Sequence, residues 1–321
     1  MDSKVTYSIV VPVYNEEEVI AETYARLKRV MDTTGEPYEL LFVNDGSRDR
    51  TAQILSEICQ KDSHVKLINF SRNFGHQIAI TAGMDNALGQ AVVVIDADLQ
   101  DPPEVIWQMI EKWREGYQVV YATRKQRKGE TLFKKWTAAM FYRLLRSLTD
   151  VDIPVDTGDF RLIDRQVCNV MKKIKEKNRF VRGLVSWVGF RQTAVEYVRE
   201  ERLAGESKYP LRKMIKLSLD GITTFSHKPL ELATWLGVLF SSVSFVYLLL
   251  AVLGRFFTPY TLPSWTFIVA VSVFFNGIIL TVLGIIGEYI GRIYDEAKDR
   301  PLYIIGSKVG FNREGEAHEQ Q

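Results

Sequence analysis

Two aspartates one residue apart, Asp96-Ala97-Asp98, follow an uncharged apolar run, Val92–Ile95. Further polar groups gather in Asn44-Asp45-Gly46-Ser47 and in Leu99-Gln100-Asp101-Pro102-Pro103. Ionised carboxylates at the end of a buried strand are costly unless paired or metal-bound. Two of them suit a hard divalent cation, Mg2+ or Mn2+, which takes one or two carboxylates and completes its shell with phosphate oxygens and water. Asp-x-Asp also occurs in solvated turns; its place after a strand, with the Asp45 loop beside it, favours the metal. Other phosphate signatures are absent. There is no Gly-Lys dipeptide, hence no P-loop, and no two glycines sit two apart, hence no G-x-G-x-x-G. His64, His76, His227 and His318 show no metal-ligand spacing. With only Cys59 and Cys168, a disulfide scaffold and a cysteine zinc site are excluded, and a reducing compartment is favoured.

The elements that must position these acids alternate along the first part of the chain. Ser8–Val13, Tyr38–Val43, Val65–Phe70, Ala91–Ile95 and Val119–Ala122 read as strands. Helices read from Glu16 to about Asp32, over Thr51–Gln60, from His76 to about Leu88, and from Pro102 to Arg114. Such alternation predicts an α/β fold, a mostly parallel sheet with helices on both faces. Ligands of such sheets bind at the carboxyl ends of the strands, which directs attention to the loops starting at Tyr14, Asn44, Ser71 and Asp96.

The 321 residues allow about two domains. Forty-one Lys+Arg against 39 Asp+Glu leave a net charge of +2, which argues against a nucleic-acid binder. Leu232–Gly254 and Phe256–Gly287 carry no charge. Each holds the roughly 20 apolar residues that span a bilayer, over about 232–254 and 265–287, with Pro259 and Pro263 between them. Lys208, Arg212, Lys213, Lys216 and Lys228 precede the pair, Arg292, Lys298 and Arg300 follow it, and Arg255 alone lies between. The positive-inside rule then puts both termini in the cytosol. Residues 206–229 read as an amphipathic connector, with a second interfacial helix expected over Trp136–Leu148. The tail, polar after Lys308, is expected to be mobile.

Val-Pro-Val-Tyr-Asn-Glu (11–16), Val-Asn-Asp-Gly-Ser (43–47), Asp-Ala-Asp-Leu-Gln-Asp-Pro-Pro-Glu (96–104) and Asp-Thr-Gly-Asp-Phe-Arg-Leu-Ile-Asp-Arg (156–165) together resemble glycosyltransferase family 2 with a GT-A fold. Gly-Glu-Ser-Lys-Tyr-Pro (205–210), Asp220-Gly-Ile and the two spans resemble its polyprenyl-phosphate branch, which includes dolichol-phosphate mannose synthase and bacterial undecaprenyl-phosphate glucosyltransferases.

The resemblance implies inverting transfer of a hexose from a nucleotide diphosphate, UDP-glucose foremost, to undecaprenyl phosphate or a similar polyprenyl phosphate. It places Pro12, Tyr14, Glu16 and Asp45 against base and ribose, and Asp96 and Asp98, with Gln100 nearby, on the metal that bridges the diphosphate. Asp98 and Asp159 become the catalytic candidates. A lipid phosphate monoester is largely dianionic at pH 7 and needs no base, so Asp159 is expected to orient substrate or sit beside the metal. Arg124, Arg127, Lys134 and Lys135 are expected to hold the acceptor phosphate, against the reading of a solvated basic loop near anionic headgroups. Asp101 is expected to cap the helix opening at Pro102.

The expected organisation is a cytosolic catalytic domain (1–205), a juxtamembrane connector (206–229), two spans (230–290) and a cytosolic tail (291–321), in the inner cell membrane. The partners expected are a nucleotide sugar, a polyprenyl phosphate and the membrane, with a homo-oligomer, a tetramer by resemblance, also open. A processive polysaccharide synthase of the same fold lacks support because more spans and another acceptor motif are needed. A non-catalytic scaffold is opposed by intact Asp45, Asp96, Asp98 and Asp159.

Overall fold

The computed structural model describes residues 5–124, 157–177, 179–198 and 265–311, with eight more between Trp235 and Val246. Up to residue 124 strand and helix alternate: β1 (Tyr7–Val13), α1 (Ile20–Asp32), β2 (Tyr38–Asn44), α2 (Thr51–Lys61), β3 (Val65–Phe70), α3 (His76–Asn86), β4 (Ala91–Val94), a 3-10 turn (Pro103–Val105) running into α4 (Ile106–Arg114), and β5 (Val119–Arg124). Then come β6 (Thr157–Asp164), α5 (Arg165–Lys173), α6 (Val181–Trp187), β7 (Gln192–Tyr197), α7 (Trp265–Ala297) and β8 (Ile305–Val309). The central strands β1, β2 and β4 are buried throughout, which is why they read in the sequence as continuous apolar runs.

The eight strands form one sheet in the order β7-β5-β6-β4-β1-β2-β3-β8. β1 lies parallel to β2 and β4, β2 to β3, and β5 to β7. β6 runs against β4 and β5, and β8 against β3. The sheet is therefore mixed, a GT-A-like arrangement, where the sequence pattern predicted a mostly parallel one. The difference comes from two segments that carry no strand signal. In Thr157–Asp164 charged Asp159, Arg161 and Asp164 interrupt the apolar residues. Phe160 and Leu162 nevertheless enter one core while Ile163 enters the other, so the segment is a strand.

Helices α1, α2 and α4 cover one face, with Tyr7, Phe42 and Phe160 fully buried between; α3, α5 and α6 cover the other. The chain passes from β1 to β3 on one side of β1 and then crosses back to β4 on its other side. The β1–β4 pairing ends at Val10 and Val94, three residues before β1 itself ends. A crevice at this switch point is where open α/β sheets receive ligands.

The second mismatch is the C-terminal segment. Residues 291–321 were expected to form a tail, but α7 continues ten residues past Gly287 and β8 then joins the sheet, pairing Leu67 with Val309 and Asn69 with Ser307. Phe311 follows, with the Lys66 and Lys308 ammonium groups each 5.4 Å from its ring centre. Only the unfilled edge of β3 makes this short segment a strand. Within α7, Phe275–Ala297 is long and apolar enough to cross a membrane, and none of it is buried within the protein. Ile279, Leu280, Leu283, Ile290 and Ile293 all stand more than half exposed along it. The described residues of the first expected span are helical, and Phe240 meets Phe275 edge-on at 5.8 Å. The connector at 206–229 and the helix expected over Trp136–Leu148 lie outside the described residues.

Helix α3 sits on β1 through Gly83, where an added Cβ would stand 2.1 Å from Val10 Cγ1. Val10 is fully buried at the centre of the sheet and has nowhere to move. Gly83→Ala is expected to cost about 1–3 kcal/mol by overpacking, seen as a lowered thermal denaturation midpoint in detergent.

Candidate active site

At the carboxyl ends of β1, β2 and β3, loops join sheet to helix, and they are stitched to one another. After β1, Asn15 takes a left-handed φ of 53° and uses both its backbone and side chain: its N–H donates to Ser47 Oγ and its Oδ1 accepts from Arg48 N. Glu16 N–H donates to Thr51 Oγ1 at 2.9 Å. Pro12 lies buried within β1 opposite Val43, and Tyr14 and Glu16 are part-exposed at the rim.

Asp45, 3% exposed, accepts from Phe74 N at 2.6 Å and Gly75 N at 2.9 Å, one on each carboxylate oxygen. Burial pushes its pKa up and these two amides pull against that. Its neighbour Gly46 sits at φ +68°, where an added Cβ would lie 2.6 Å from the Arg72 carbonyl carbon. Only glycine lets the β2–α2 and β3–α3 loops approach so closely. The Asp45 carboxylate thus shapes the loop that delivers His76 and Gln77.

The Asp-x-Asp loop is held from three sides. Thr23 Oγ1 on α1 donates to Ala97 O at 2.7 Å. Asp98 Oδ1 accepts from Gln100 N at 3.2 Å, and Leu99 between them is buried with φ 55°. A bulky residue in that region costs about 1 kcal/mol or more and persists only where its surroundings demand it. The Asp101 carboxylate accepts from the Tyr197 hydroxyl, tying the loop to β7.

Asp159 projects from β6 to the same place. It is 6% exposed and accepts from Arg182 Nε at 2.7 Å, Arg182 Nη2 at 3.1 Å and Gln77 Nε2 at 3.1 Å, with His76 Nε2 at 3.3 Å. Burial alone would raise its pKa, but Arg182 and His76 hold it well below the usual carboxylate range. His76 Nε2 also stands 3.4 Å from Asp96 Oδ1. Desolvation of the His76 ring is outweighed by Asp96 and Asp159, which raise its pKa to about 9. Desolvation and the nearby acids Asp159, Asp101 and Asp98 push Asp96 up to about 6, against the pull of His76. One fold-level device therefore links the expected metal acid to the expected catalytic acid through a histidine.

Asp96 Oδ1 is sealed from solvent and accepts no hydrogen bond. Asp96 is part-exposed, with His76 as a charge partner to Oδ1 and no aligned donor there; with Asp98 and Gln100 close by in the chain it offers hard oxygen donors of the kind that suit Mg2+ or Mn2+. Among the described residues no group of three or more His, Cys, Asp or Glu forms an all-protein cage; a cation sharing its shell with phosphates requires none.

Arg124 ends β5 opposite Tyr197 of β7. Arg127, Lys134 and Lys135 lie outside the described residues. In the sequence His76 shows no metal spacing, although it directly follows a strand-end loop singled out for inspection. Gln77 and Arg182 carried no signal, because their contacts to Asp159 span 82 and 23 residues of chain and belong to no motif.

Residues 8–171 match the family described as Glycosyl transferase family 2. An uncharacterized glycosyltransferase of Bacillus subtilis, YkcC, is 68% identical over 97% of this chain and 96% of its own. The bactoprenol glucosyl transferase of Shigella phage SfII is 41% identical over 93% of this chain and 96% of its own. Among solved structures, glucosyl-3-phosphoglycerate synthase from Mycobacterium tuberculosis, in complex with Mn2+, UDP and phosphoglyceric acid, overlaps 68% of this chain and 77% of its own at 21% identity and a TM-score of 0.45.

Removing Arg182 leaves a buried carboxylate with His76 as the one cation within hydrogen-bond reach among the described residues. Breaking a buried pair costs about 3–5 kcal/mol; Arg182 is 26% exposed, so Arg182→Met is expected at the lower end. A drop of several degrees in apparent melting temperature checks this, and Asp159→Asn in the Arg182→Met background should recover much of it.

Proposed function

The chain belongs to glycosyl transferase family 2, and on that premise we propose that it moves glucose from UDP-glucose to a polyprenyl phosphate such as undecaprenyl phosphate, with inversion. The single observation that carries the reading is the acidic cluster at the carboxyl ends of the strands, where Asp96 and buried Asp159 meet across His76. The 41% identity to a bactoprenol glucosyl transferase supports the sugar and the lipid class.

In this reading Tyr14 stacks on the base, and Glu16 and Asp45, beside Pro12, serve the base and ribose side. Asp96, Asp98 and Gln100 would hold Mg2+ or Mn2+, which when bound offsets the charge growing on the departing diphosphate. The acceptor phosphate arrives already ionised, so no residue has to remove a proton from it. Asp159, pinned on both oxygens, orients the sugar and is not a general base. Arg124, Arg127, Lys134 and Lys135 receive the lipid phosphate, Arg through its bidentate fork.

The acceptor is confined to a bilayer and the donor to water, so the catalytic layer has to sit at the membrane surface. The proposed arrangement has residues 1–205 in the cytosol, spans over about 232–254 and 265–287 in the inner membrane, and both termini cytosolic. The exposed apolar surface of α7 supports this.

Incubating the full chain with a panel of radiolabelled nucleotide sugars, undecaprenyl phosphate and Mn2+ is expected to send label into organic solvent from UDP-glucose. Chelation of the cation should abolish the transfer. Asp98→Ala is expected to lose at least about a hundredfold and Asp159→Asn about a hundredfold in turnover. Label reaching the organic phase without added lipid phosphate, or full activity of Asp98→Ala, would sink the proposal.

A further inference from the structure

The exit of α7 is fastened to the catalytic layer at two places, and both are approaches to Asp159. The first is Lys177, between α5 and α6. Its backbone N–H donates to Glu296 Oε1 at 2.6 Å, and its ammonium group lies 2.5 Å from Arg300 O and 3.3 Å from Asp299 Oδ1. The Lys177 side chain is 17% exposed while Asp299 is 82% exposed, so the contacts to the Arg300 carbonyl and to Glu296 carry the fastening more than the ion pair does. Arg179, largely buried, closes the same segment by donating to Ile174 O. Val181 N then donates to Gln77 Oε1 at 3.0 Å, and Arg182 grips Asp159.

The second place is the β3–α3 loop. Ser71 N donates to Ile304 O at 3.0 Å. Tyr303 stacks on Phe70 at 5.4 Å, Phe70 meets Phe74 edge-on at 5.6 Å, and the Tyr303 hydroxyl donates to Asp85 at the far end of α3 at 3.2 Å. This loop leads straight to His76 and Gln77, the other partners of Asp159.

From these contacts we infer that Lys177 and Tyr303 are positioning residues: they staple the end of α7 to the two loops that aim Arg182, His76 and Gln77 at Asp159. The seven residues from Lys298 to Ile304 connect α7 to β8, so the segment leaving the apolar helix sets the geometry of the catalytic floor. The kinetic part rests on the proposed transfer reaction; the structural part does not.

Two measurements on the full-length protein test it. Amide exchange by mass spectrometry, without ligands, reads the staple directly. Lys177→Ala should speed exchange at Val181 and its neighbours at least about tenfold while leaving β1 and β2 unchanged; unchanged exchange at Val181 overturns the inference whatever the enzyme does. In the transfer assay, Lys177→Ala should lower kcat about tenfold with KM for the nucleotide sugar within about twofold, because misplaced groups cost turnover before they cost donor binding. Lys177→Arg should restore most of it. In an Asp159→Asn background Lys177→Ala should add no further loss, since both act on one group; additive losses overturn the inference. Should Lys177→Ala not fold, Lys177→Gln is read by the same two criteria. A wild-type protein that transfers no sugar sinks the proposed function, and the exchange result still decides the staple.

Discussion

A carboxylate withdrawn from water stays ionised only if cations and hydrogen-bond donors are brought to it, and the active-site layer is arranged around that demand at Asp159. Arg182 on α6 binds both of its oxygens, and His76 and Gln77, neighbours at the start of α3, add to one of them, so the partners come from two approaches to the sheet. Gln77 is itself oriented by Val181 N, the residue next to Arg182. β6, α3 and α6 therefore hold one another in register through a single charged group. Arg161, two residues along β6 and also buried, donates to Gly158 O and adds positive charge beneath the same floor.

The same economy appears at Asp45. Asp45 is commonly the kind of residue one expects to face a ligand, yet both of its oxygens accept backbone amides of the next loop. A carboxylate keeps further lone pairs when it accepts one amide on each oxygen, so shaping the loop and meeting a ribose are compatible duties. The left-handed Asn15 and Leu99 mark the two loops on either side of the crevice between β1 and β4. Local strain there is sustained by Thr23, Ser47 and Arg48, which belong to neighbouring elements.

The proposed transfer between water and bilayer asks that a rigid pocket be coupled to an apolar helix. Here α7 leads within seven residues into β8, an edge strand of the catalytic sheet. The apolar helix and the pocket are consequently one mechanical unit, with Lys177 and Tyr303 at the joint.

The alternation of strands and helices up to β5 was legible because central strands are apolar on both faces, and hydrophobic runs need no partner to be recognised. Asp96, Asp98 and Asp45 were legible for a related reason: charge placed at the end of such a run is too costly to be accidental. β6 and β8 were not legible, since Asp159 and Arg161 interrupt one and Gly306 and Ser307 the other, and each is a strand only because a neighbour offers an unpaired edge. His76, Gln77 and Arg182 stayed hidden because their shared target is reached across 82 or more residues of chain for two of them and 23 for the third. The sequence by itself determined the fold class, the acidic crevice and the apolar C-terminal helix, all of which follow from local pattern and the cost of burying charge. Tertiary structure alone decided the mixed sheet, the cationic cradle of Asp159 and the return of the chain to β3, because those depend on which groups distant segments bring within hydrogen-bonding reach.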